Sequence, residues 1–471
     1  MEVQTATLAD PRALPRALAL AALPLLAGCG KDGRAAPGDV DLLLLTDPEM
    51  VLRVHARWTD DGGTDSWVEY RFEGEAWLIA PTTAPGEAVL LGIPAETGVE
   101  ARAVQILDGE RVTTSTQTAR TGSLPPALLA PVVSAYDPAR ASPEPYAMTS
   151  VALGYWWGGP PYFIEIYDRR GRIVWYREVP DDLLSLSPGV ARDGTHIWFE
   201  ASNIFGMSSA GASVTRQTLD GRWTVKHPLA SLGQGIAEGP DQGFWYEERG
   251  AQHALAFLAA DGTTRTEWDC GAYFSTLGLE PDLCLMNATN WDEARNTVLV
   301  SQFETSTVFE IDLATHAPIR QLGTLVEGDP YTFDPPESTF TYQHFPHWTA
   351  EGTLLVSTHV PCAKGDPGCS TSYPGLEGVQ LAAEYTVDDA AKTLTRVGYV
   401  ESTDLWASQA GEAYRVANGN LIQGYGQDAA IREIAPDGAT VWQVEWARVF
   451  GYRMIGHTSL IADLYALNAG P

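Results

Sequence analysis

A two-part pattern recurs six times between residues 146 and 471. Each copy has a short apolar strand introduced by a Gly or Asn turn, then a hairpin whose last strand often contains Trp. The matched turns at Gly221 and Gly262 are about 41 residues apart, and the fifth copy is longer because it absorbs residues 362–373. Four-stranded units of this period, without amphipathic helical stretches, predict a six-bladed β-propeller, in which radial repetition leaves few exposed sheet edges.

The first strand of each copy is interpreted as the innermost strand of a blade, and the hairpin as its outer part. The six hairpins span residues 162–175, 215–225, 254–268, 307–320, 382–399 and 429–446. Residues 452–465 are expected to return to the first blade and close the ring. The sequence therefore predicts an all-β chain whose propeller domain occupies residues 146–471.

Residues 39–121 show the alternation of apolar and polar side chains that is typical of half-buried strands. Val54, Ala56 and Trp58 alternate with charged residues, and residues 67–72 and 99–103 repeat the pattern. This stretch predicts a small β-sandwich before the propeller. The segment from Ile93 to Val99 resembles the corner of a fibronectin type III domain, with Val99 at the usual tyrosine position. Residues 122–145, which begin Gly-Ser-Leu-Pro-Pro, are interpreted as a linker.

The N-terminus resembles a bacterial lipoprotein signal. Arg12 and Arg16 precede a short apolar stretch that ends in Leu-Ala-Gly-Cys at Cys29. The alternative is a transmembrane anchor, but about eleven apolar residues are too few to span a bilayer. The resemblance implies a signal peptide over residues 1–28, lipidation of Cys29 and a tether over residues 29–38. We therefore expect an exported protein, lipid-anchored to the bacterial outer membrane on its periplasmic or cell-surface face.

Four further cysteines remain after Cys29, an even number in a chain expected in an oxidising compartment. Local disulfides Cys270–Cys284 and Cys362–Cys369 are the simplest of three connectivities. The spacings do not fit Cys-x2-Cys zinc motifs, so no metal site is expected.

The chain carries 60 acidic and 30 basic side chains, a formal net charge of −30. This balance opposes binding to phosphate backbones and anionic lipids. Nucleic acid is therefore excluded as a partner, and contact with a membrane is expected through the lipid anchor only.

The loops that enter the innermost strands of a propeller converge on its central channel, where polar side chains can form a site. Two of these loops resemble segments of bacterial arylsulfotransferases. Residues 285–292, with Asn287, resemble the family's His-x-Asn-Ser segment, and Gln343-His344 resembles its Gln-His-Asp blade. Gly411-Glu412 and Asp437-Gly438 also match the family's last blade. The similarity covers roughly residues 145–465.

The arylsulfotransferase resemblance implies transfer of a sulfuryl group from a phenolic sulfate donor to a phenol acceptor. The reaction passes through a sulfated histidine, without a nucleotide donor or other cofactor. Because such chemistry needs a nucleophilic imidazole and groups that stabilise the sulfuryl oxygens, the resemblance assigns His344 and Asn287 as catalytic. Gln234, Arg453 and His457 are the expected substrate-binding residues.

Three positions depart from the family pattern and leave a second hypothesis open. Leu285 replaces the histidine of His-x-Asn, Phe303 replaces an arginine, and Gln234 replaces a histidine. Each lost electrostatic contact lowers such a rate by about 10² to 10³. His344 could instead be a hydrogen-bonded channel histidine, and Asn287 a turn or channel residue. The alternative function is a non-catalytic cell-surface propeller that binds a glycan or a protein.

Overall fold

The structure is a computed structural model, and it describes residues 41–60, 62–153, 162–179, 183–203, 211–249, 253–361, 378–407, 409–447 and 453–470. Within these residues the chain is almost entirely β-structure. One α-helix is present among them, α1 (Cys270–Thr276). Short 3-10 turns occur at Pro240–Gln242, Pro281–Leu283, Pro336–Ser338, Gly426–Asp428 and Ala466–Asn468. No helix in the described part combines the length and apolarity needed to span a bilayer.

The first domain is a β-sandwich, as the alternating pattern predicts. Its strands pair in the order β1-β2-β5-β4-β3-β6-β7, with β8 also on β6. Val54, Ala56, Trp58 and Tyr70 lie in its core. The sandwich strands, and then one strand inside the predicted linker, are β1 (Leu42–Thr46), β2 (Val54–Trp58), β3 (Ser66–Phe72), β4 (Leu78–Ala84), β5 (Glu87–Leu90), β6 (Gly98–Leu107), β7 (Glu110–Thr113), β8 (Gln117–Arg120) and β9 (Val132–Tyr136).

The second domain is a six-bladed β-propeller, as predicted. Blades 1 to 3 are built from β10 (Tyr146–Leu153), β11 (Tyr162–Asp168), β12 (Ile173–Val179), β13 (Gly189–Val190), β14 (Ile197–Ala201), β15 (Ser213–Gln217), β16 (Thr224–Pro228), β17 (Ile236–Glu238), β18 (Phe244–Glu248), β19 (Ala254–Leu258) and β20 (Thr264–Asp269). Blade 2 has the order β13-β14-β15-β16 and blade 3 the order β17-β18-β19-β20.

Blades 4 to 6 follow the same plan, and blades 5 and 6 each have one more strand at the outer edge. Their strands are β21 (Met286–Asp292), β22 (Thr297–Gln302), β23 (Thr307–Asp312), β24 (Ala317–Gly323), β25 (Thr332–Asp334), β26 (Thr341–Trp348), β27 (Leu354–Pro361), β28 (Gly378–Asp388), β29 (Thr393–Ser402), β30 (Glu412–Arg415), β31 (Leu421–Tyr425), β32 (Ala430–Ile434) and β33 (Thr440–Glu445). β25 adds a parallel fifth strand to blade 5, and β9, inside the predicted linker, adds a fifth strand to blade 6.

The C-terminal segment closes the ring in the predicted way. β34 (Arg453–Ile455) and β35 (Ser459–Ile461) both pair with β10, so the innermost strand of blade 1 comes from the end of the chain. The strands that the sequence suggested as innermost, such as β22 and β31, are second from the axis. Their place at the axis is taken by strands that the repeat pattern did not separate from the loops.

A buried polar ring joins the blades around the axis. It consists of a Ser or Glu near the end of the second strand in blades 1 to 5: Ser150, Glu200, Glu247, Ser301 and Ser357. Four of these side chains bond backbone groups at or just before the start of innermost strands, and the fifth, Ser357, accepts the side-chain amide of Gln380 at 3.1 Å. Glu247, for example, accepts the amides of Gln234 in its own blade (3.0 Å) and Met286 in the next (3.2 Å). The ring therefore satisfies backbone groups that neither sheet can pair.

Blade 6 has a glycine at the corresponding position, and a carboxyl from its innermost strand fills the space. A Cβ on Gly424 would lie 2.8 Å from Glu412 Oε1. Glu412 accepts the backbone amide of Thr458 at 2.7 Å, which ties blade 6 to the closing segment of blade 1. A side chain at Gly424 would displace this contact.

The predicted disulfide Cys270–Cys284 is present, with 6.1 Å between the Cα atoms. It joins the start of α1 to the loop that enters blade 4, and both cysteines are buried. Cys29, Cys362 and Cys369 lie outside the described residues.

Replacing Glu247 with Ala should lower the free energy of unfolding by roughly 2–6 kcal/mol, because two buried amides lose their acceptor at roughly 1–3 kcal/mol each. Urea denaturation measures this change. Glu248→Ala is the matched control: it removes the neighbouring carboxyl, which accepts no hydrogen bond from the described residues, and should change stability by about 0.5 kcal/mol or less. Equal effects of the two substitutions would contradict a stabilising role for the ring.

Candidate functional site

The candidate site lies where the innermost strands begin. One residue of each blade occupies this entry position, and together they line the channel: Ser187, Gln234, Asn287, His344, Glu412 and His457. None of these side chains is Lys or Arg. His344 differs from the others in the backbone that carries it.

The strand that carries His344 is interrupted on both sides of this residue. β26 shifts register against β27 between Thr341 and His344 and again between His344 and His347. Tyr342 and Phe345 have φ of 48° and 52°, in the left-handed region that large side chains rarely adopt. Each such residue costs of order 1–3 kcal/mol and persists only where surrounding structure enforces it, as at functional sites.

Hydrogen bonding fixes the proton of His344. Nδ1 lies 3.0 Å from the carbonyl oxygen of Tyr342, and because a carbonyl only accepts, Nδ1 carries the hydrogen. Nε2 is therefore the nitrogen with a free lone pair, and it has no hydrogen-bond partner among the described residues. This is the tautomer that a nucleophilic Nε2 requires.

Burial keeps the His344 imidazole neutral. Burial, together with the nearby His359 and His457, which disfavour a second positive charge, lowers the pKa of His344 to about 3. Burial also lowers the pKa of His359 and of His457 to about 4. Three neutral imidazoles therefore share this part of the channel at pH 7.

The backbone just before His344 is anchored from blade 4. Asn287 Nδ2 donates to the carbonyl oxygen of Gln343 at 2.8 Å, and Ser301 Oγ of the buried polar ring donates to the same oxygen at 3.0 Å. The Gln343 side chain returns a bond from Nε2 to Ser301 Oγ at 2.9 Å. Asn287, which was expected to be catalytic, thus holds the peptide that carries His344.

Aromatic rings border His344. Phe303 lies 4.9 Å from the Tyr342 ring and 6.3 Å from the His344 ring, between centroids. Phe345 lies 4.5 Å from the half-buried His457, edge to face. Phe303 is therefore part of an apolar surface beside the candidate nucleophile.

The remaining predicted substrate-binding residues are placed as follows. Gln234 is half-buried at the entry of blade 3, where its amide is bound by Glu247. His457 donates its backbone amide to Leu186 at 2.7 Å. The backbone of Arg453 pairs with Leu153 in the closing strand, and its side chain lies outside the described part.

Two charged residues near the channel were not assigned roles from the sequence. Burial raises the pKa of Glu412 to about 8, so this carboxyl is mostly protonated at pH 7; its Oε2 is enclosed without a partner in the described residues.

Arg249 follows β18 as Phe303 follows β22, and its Nε lies 3.1 Å from Glu247 Oε1. Comparison of the sequence repeats could have identified Arg249, because it occupies in blade 3 the position, just after the second strand, that Phe303 occupies in blade 4.

A search of the described residues finds no group of three His, Cys, Asp or Glu that could hold a metal ion.

No family model and no curated protein matches the chain. Among solved structures it is similar to a DUF4784 family protein from Bacteroides caccae, with 10% identity, 86% of this chain and 95% of that chain covered, and a TM-score of 0.35. It is also similar to hydrazine synthase of Kuenenia stuttgartiensis (12% identity, 61% and 76% covered, TM-score 0.36) and to virginiamycin B lyase of Staphylococcus aureus (10%, 65% and 94%, 0.34). At these identities the likeness concerns the fold alone.

The imidazole of His344 should stay neutral and keep its Nδ1–H tautomer from pH 8 to pH 5. Because the folded pKa lies below the unfolded value of about 6.5, its proton uptake favours unfolding as the pH falls from about 6.5 towards 3. Nitrogen-15 NMR of histidine-labelled protein, assigned with His344→Gln, measures both properties. A titration midpoint near 6.5, as expected in the urea-unfolded chain, would contradict this account.

Proposed function

We propose that this propeller transfers a sulfuryl group between phenolic compounds, with His344 Nε2 as the atom that carries the group. The observation that supports the proposal is the combination of a neutral imidazole, a proton fixed on Nδ1 and an unpartnered Nε2, on a strand distorted on both sides of His344. The resemblance to arylsulfotransferases supplies the substrate class.

Two displacements make up the proposed reaction. The Nε2 lone pair forms a bond to sulfur while the bond from sulfur to the donor's phenolic oxygen breaks, and the first phenol leaves as phenolate. The acceptor's phenolic oxygen then bonds to sulfur, the N–S bond breaks and neutral His344 is restored. The acceptor phenol releases its proton to solvent, and the departing phenolate takes up a proton from solvent. No oxidant or nucleotide is consumed.

The surroundings of His344 suit the aryl part of such a substrate better than its sulfate. Phe303, whose ring centroid lies 6.3 Å from that of His344, offers an apolar face together with the adjoining ring of Tyr342. Stabilisation of the sulfuryl oxygens is assigned, as part of the proposal, to Arg453 and to hydrogen-bonding groups of Gln234 and His457. The neutral Nε2 of His344, which takes the sulfuryl group from the donor, does not repel this anionic substrate.

A second candidate function is ligand binding without catalysis. The lack of Lys and Arg at the six entry positions favours it, because a sulfuryl transfer site without a cation loses about 10² to 10³ in rate for each missing contact. In this alternative the His344 strand distortion shapes a binding surface for a glycan or a protein.

The wild-type protein should release 4-nitrophenol from 4-nitrophenyl sulfate in the presence of phenol, measured by absorbance. His344→Ala should lower kcat at least about 10³-fold, because it removes the atom that carries the group. His347→Gln is the matched control. His347 lies three residues along β26 and its Nδ1 donates to Phe345, so the control variant should keep activity within about threefold.

Absence of turnover in folded wild-type protein would overturn sulfuryl transfer and leave the binding function. Equal activities of wild-type and His344→Ala protein would show that His344 does not carry the group.

We also propose that the chain is exported and anchored to the outer membrane through acylated Cys29. The arginines, the apolar stretch and the Leu-Ala-Gly-Cys sequence support this. Expressed in a bacterium, the full chain should partition into detergent and Cys29→Ser into the aqueous phase, since loss of the acyl chains removes the membrane affinity. Intact mass spectrometry reports the lipid, and an unlipidated wild-type protein would contradict the proposal.

A further inference from the structure

A cavity of about 210 Å³ lies further along the channel than His344, at the ends of the innermost strands. Phe345 and His457 form part of its wall, as do strands β17 and β21. Two larger clefts, of about 720 and 530 Å³, adjoin it, and all three are lined by Asn290. Together they form one branched groove, here called the Asn290 groove.

The Asn290 groove contains buried polar groups that have no protein partner. Trp198 Nε1, Thr289 Oγ1 and Thr458 Oγ1 are enclosed atoms without a hydrogen bond in the described part of the chain. These residues line the 210 Å³ cavity and have exposed fractions of only 7%, 3% and 5%. Because an unpaired buried polar group is destabilising by about 1–3 kcal/mol, three at one cavity point to a ligand that pairs with them.

Three tryptophans line the Asn290 groove. Trp198 lies at the central cavity, Trp291 between it and the 720 Å³ cleft, and Trp348 at both outer clefts. Indole rings offer flat apolar surfaces, and those of Trp291 and Trp348 are held by the stacked guanidinium groups of Arg192 (4.4 Å) and Arg295 (4.3 Å).

The charges around the Asn290 groove are largely balanced. Arg192 pairs with Glu293 at 2.8 Å and Arg295 with Asp292 at 3.3 Å. Burial raises the pKa of Glu238 to about 7, so this wall carboxyl is substantially protonated near neutrality and can donate as well as accept. The groove thus offers many hydrogen-bonding groups and aromatic faces without a strong net charge.

We infer that the Asn290 groove binds a neutral oligosaccharide, with one sugar ring in the central cavity and neighbouring rings in the adjoining clefts. A pyranose has apolar faces for indole rings and hydroxyls that both donate and accept. The central cavity is smaller than the 300–1,000 Å³ typical of drug-sized ligands, which suits a single ring. The site does not include His344 but shares His457 with the proposed sulfuryl-transfer site, so sugar binding is measured separately from turnover.

Calorimetric titration of the full protein with cellotriose, maltotriose and chitotriose tests the inference. At least one of these trisaccharides should bind saturably at millimolar concentration or below. Thr289→Val removes one orphaned polar group while keeping shape, so it should weaken binding about threefold to tenfold without lowering the melting temperature. Trp198→Phe removes another and should weaken binding to a similar extent, but it also lowers the melting temperature because a smaller ring leaves a cavity in the core.

Trp245→Phe is the matched control, because Trp245 Nε1 is also enclosed without a partner, but Trp245 lines none of the three cavities. It should leave binding unchanged, as should His344→Ala. No saturable binding of any of the three trisaccharides would overturn the inference. Binding that is unaffected by both Thr289→Val and Trp198→Phe would also overturn it, since the sugar would then occupy another surface.

Discussion

The propeller depends on satisfying the backbone where each innermost strand begins, because these short strands enter the channel from loops with no neighbour to pair them. The buried polar ring supplies the missing partners. Glu247 binds amides of two blades, and Ser301 reaches from blade 4 to the Gln343 carbonyl of blade 5. The same contact holds the peptide that precedes His344. Stability and the geometry of the site thus rest on one set of hydrogen bonds.

The electrostatics of the channel differ from those of the whole chain. The protein carries a net charge of −30, yet its channel histidines are neutral and Glu412 is mostly protonated. Burial is the cause in each case, since desolvation disfavours whichever form is charged. A channel in which these titratable groups are uncharged suits aromatic or sugar rings.

Much of the architecture could be predicted from sequence because it follows from local periodicity. The six copies, the closing segment and the Cys270–Cys284 disulfide needed only spacing and alternation. The innermost strands were misplaced because some contain as few as two or three residues, too short for a periodic signal. β9 lies in the stretch predicted to be a linker. Its pairing with β33 joins residues some 300 positions apart, and a local sequence pattern holds no information about such a contact.

The site was predictable in part. His344 was found by resemblance, but its tautomer depends on the left-handed Tyr342 and its anchoring on Asn287 and Ser301, which only the folded chain brings together. The Asn290 groove was missed because its tryptophans come from different blades. The sequence pattern cannot distinguish a Trp that packs between blades from one that lines a cleft.

The central claim is that His344 Nε2 carries the transferred group. Peptide mapping by mass spectrometry, after brief reaction with 4-nitrophenyl sulfate in the absence of an acceptor, tests it most directly. The account predicts a sulfuryl group on the peptide that contains His344, lost on addition of phenol and absent in His344→Ala. A modification confined to another peptide, or no modification of protein that releases 4-nitrophenol, would contradict it.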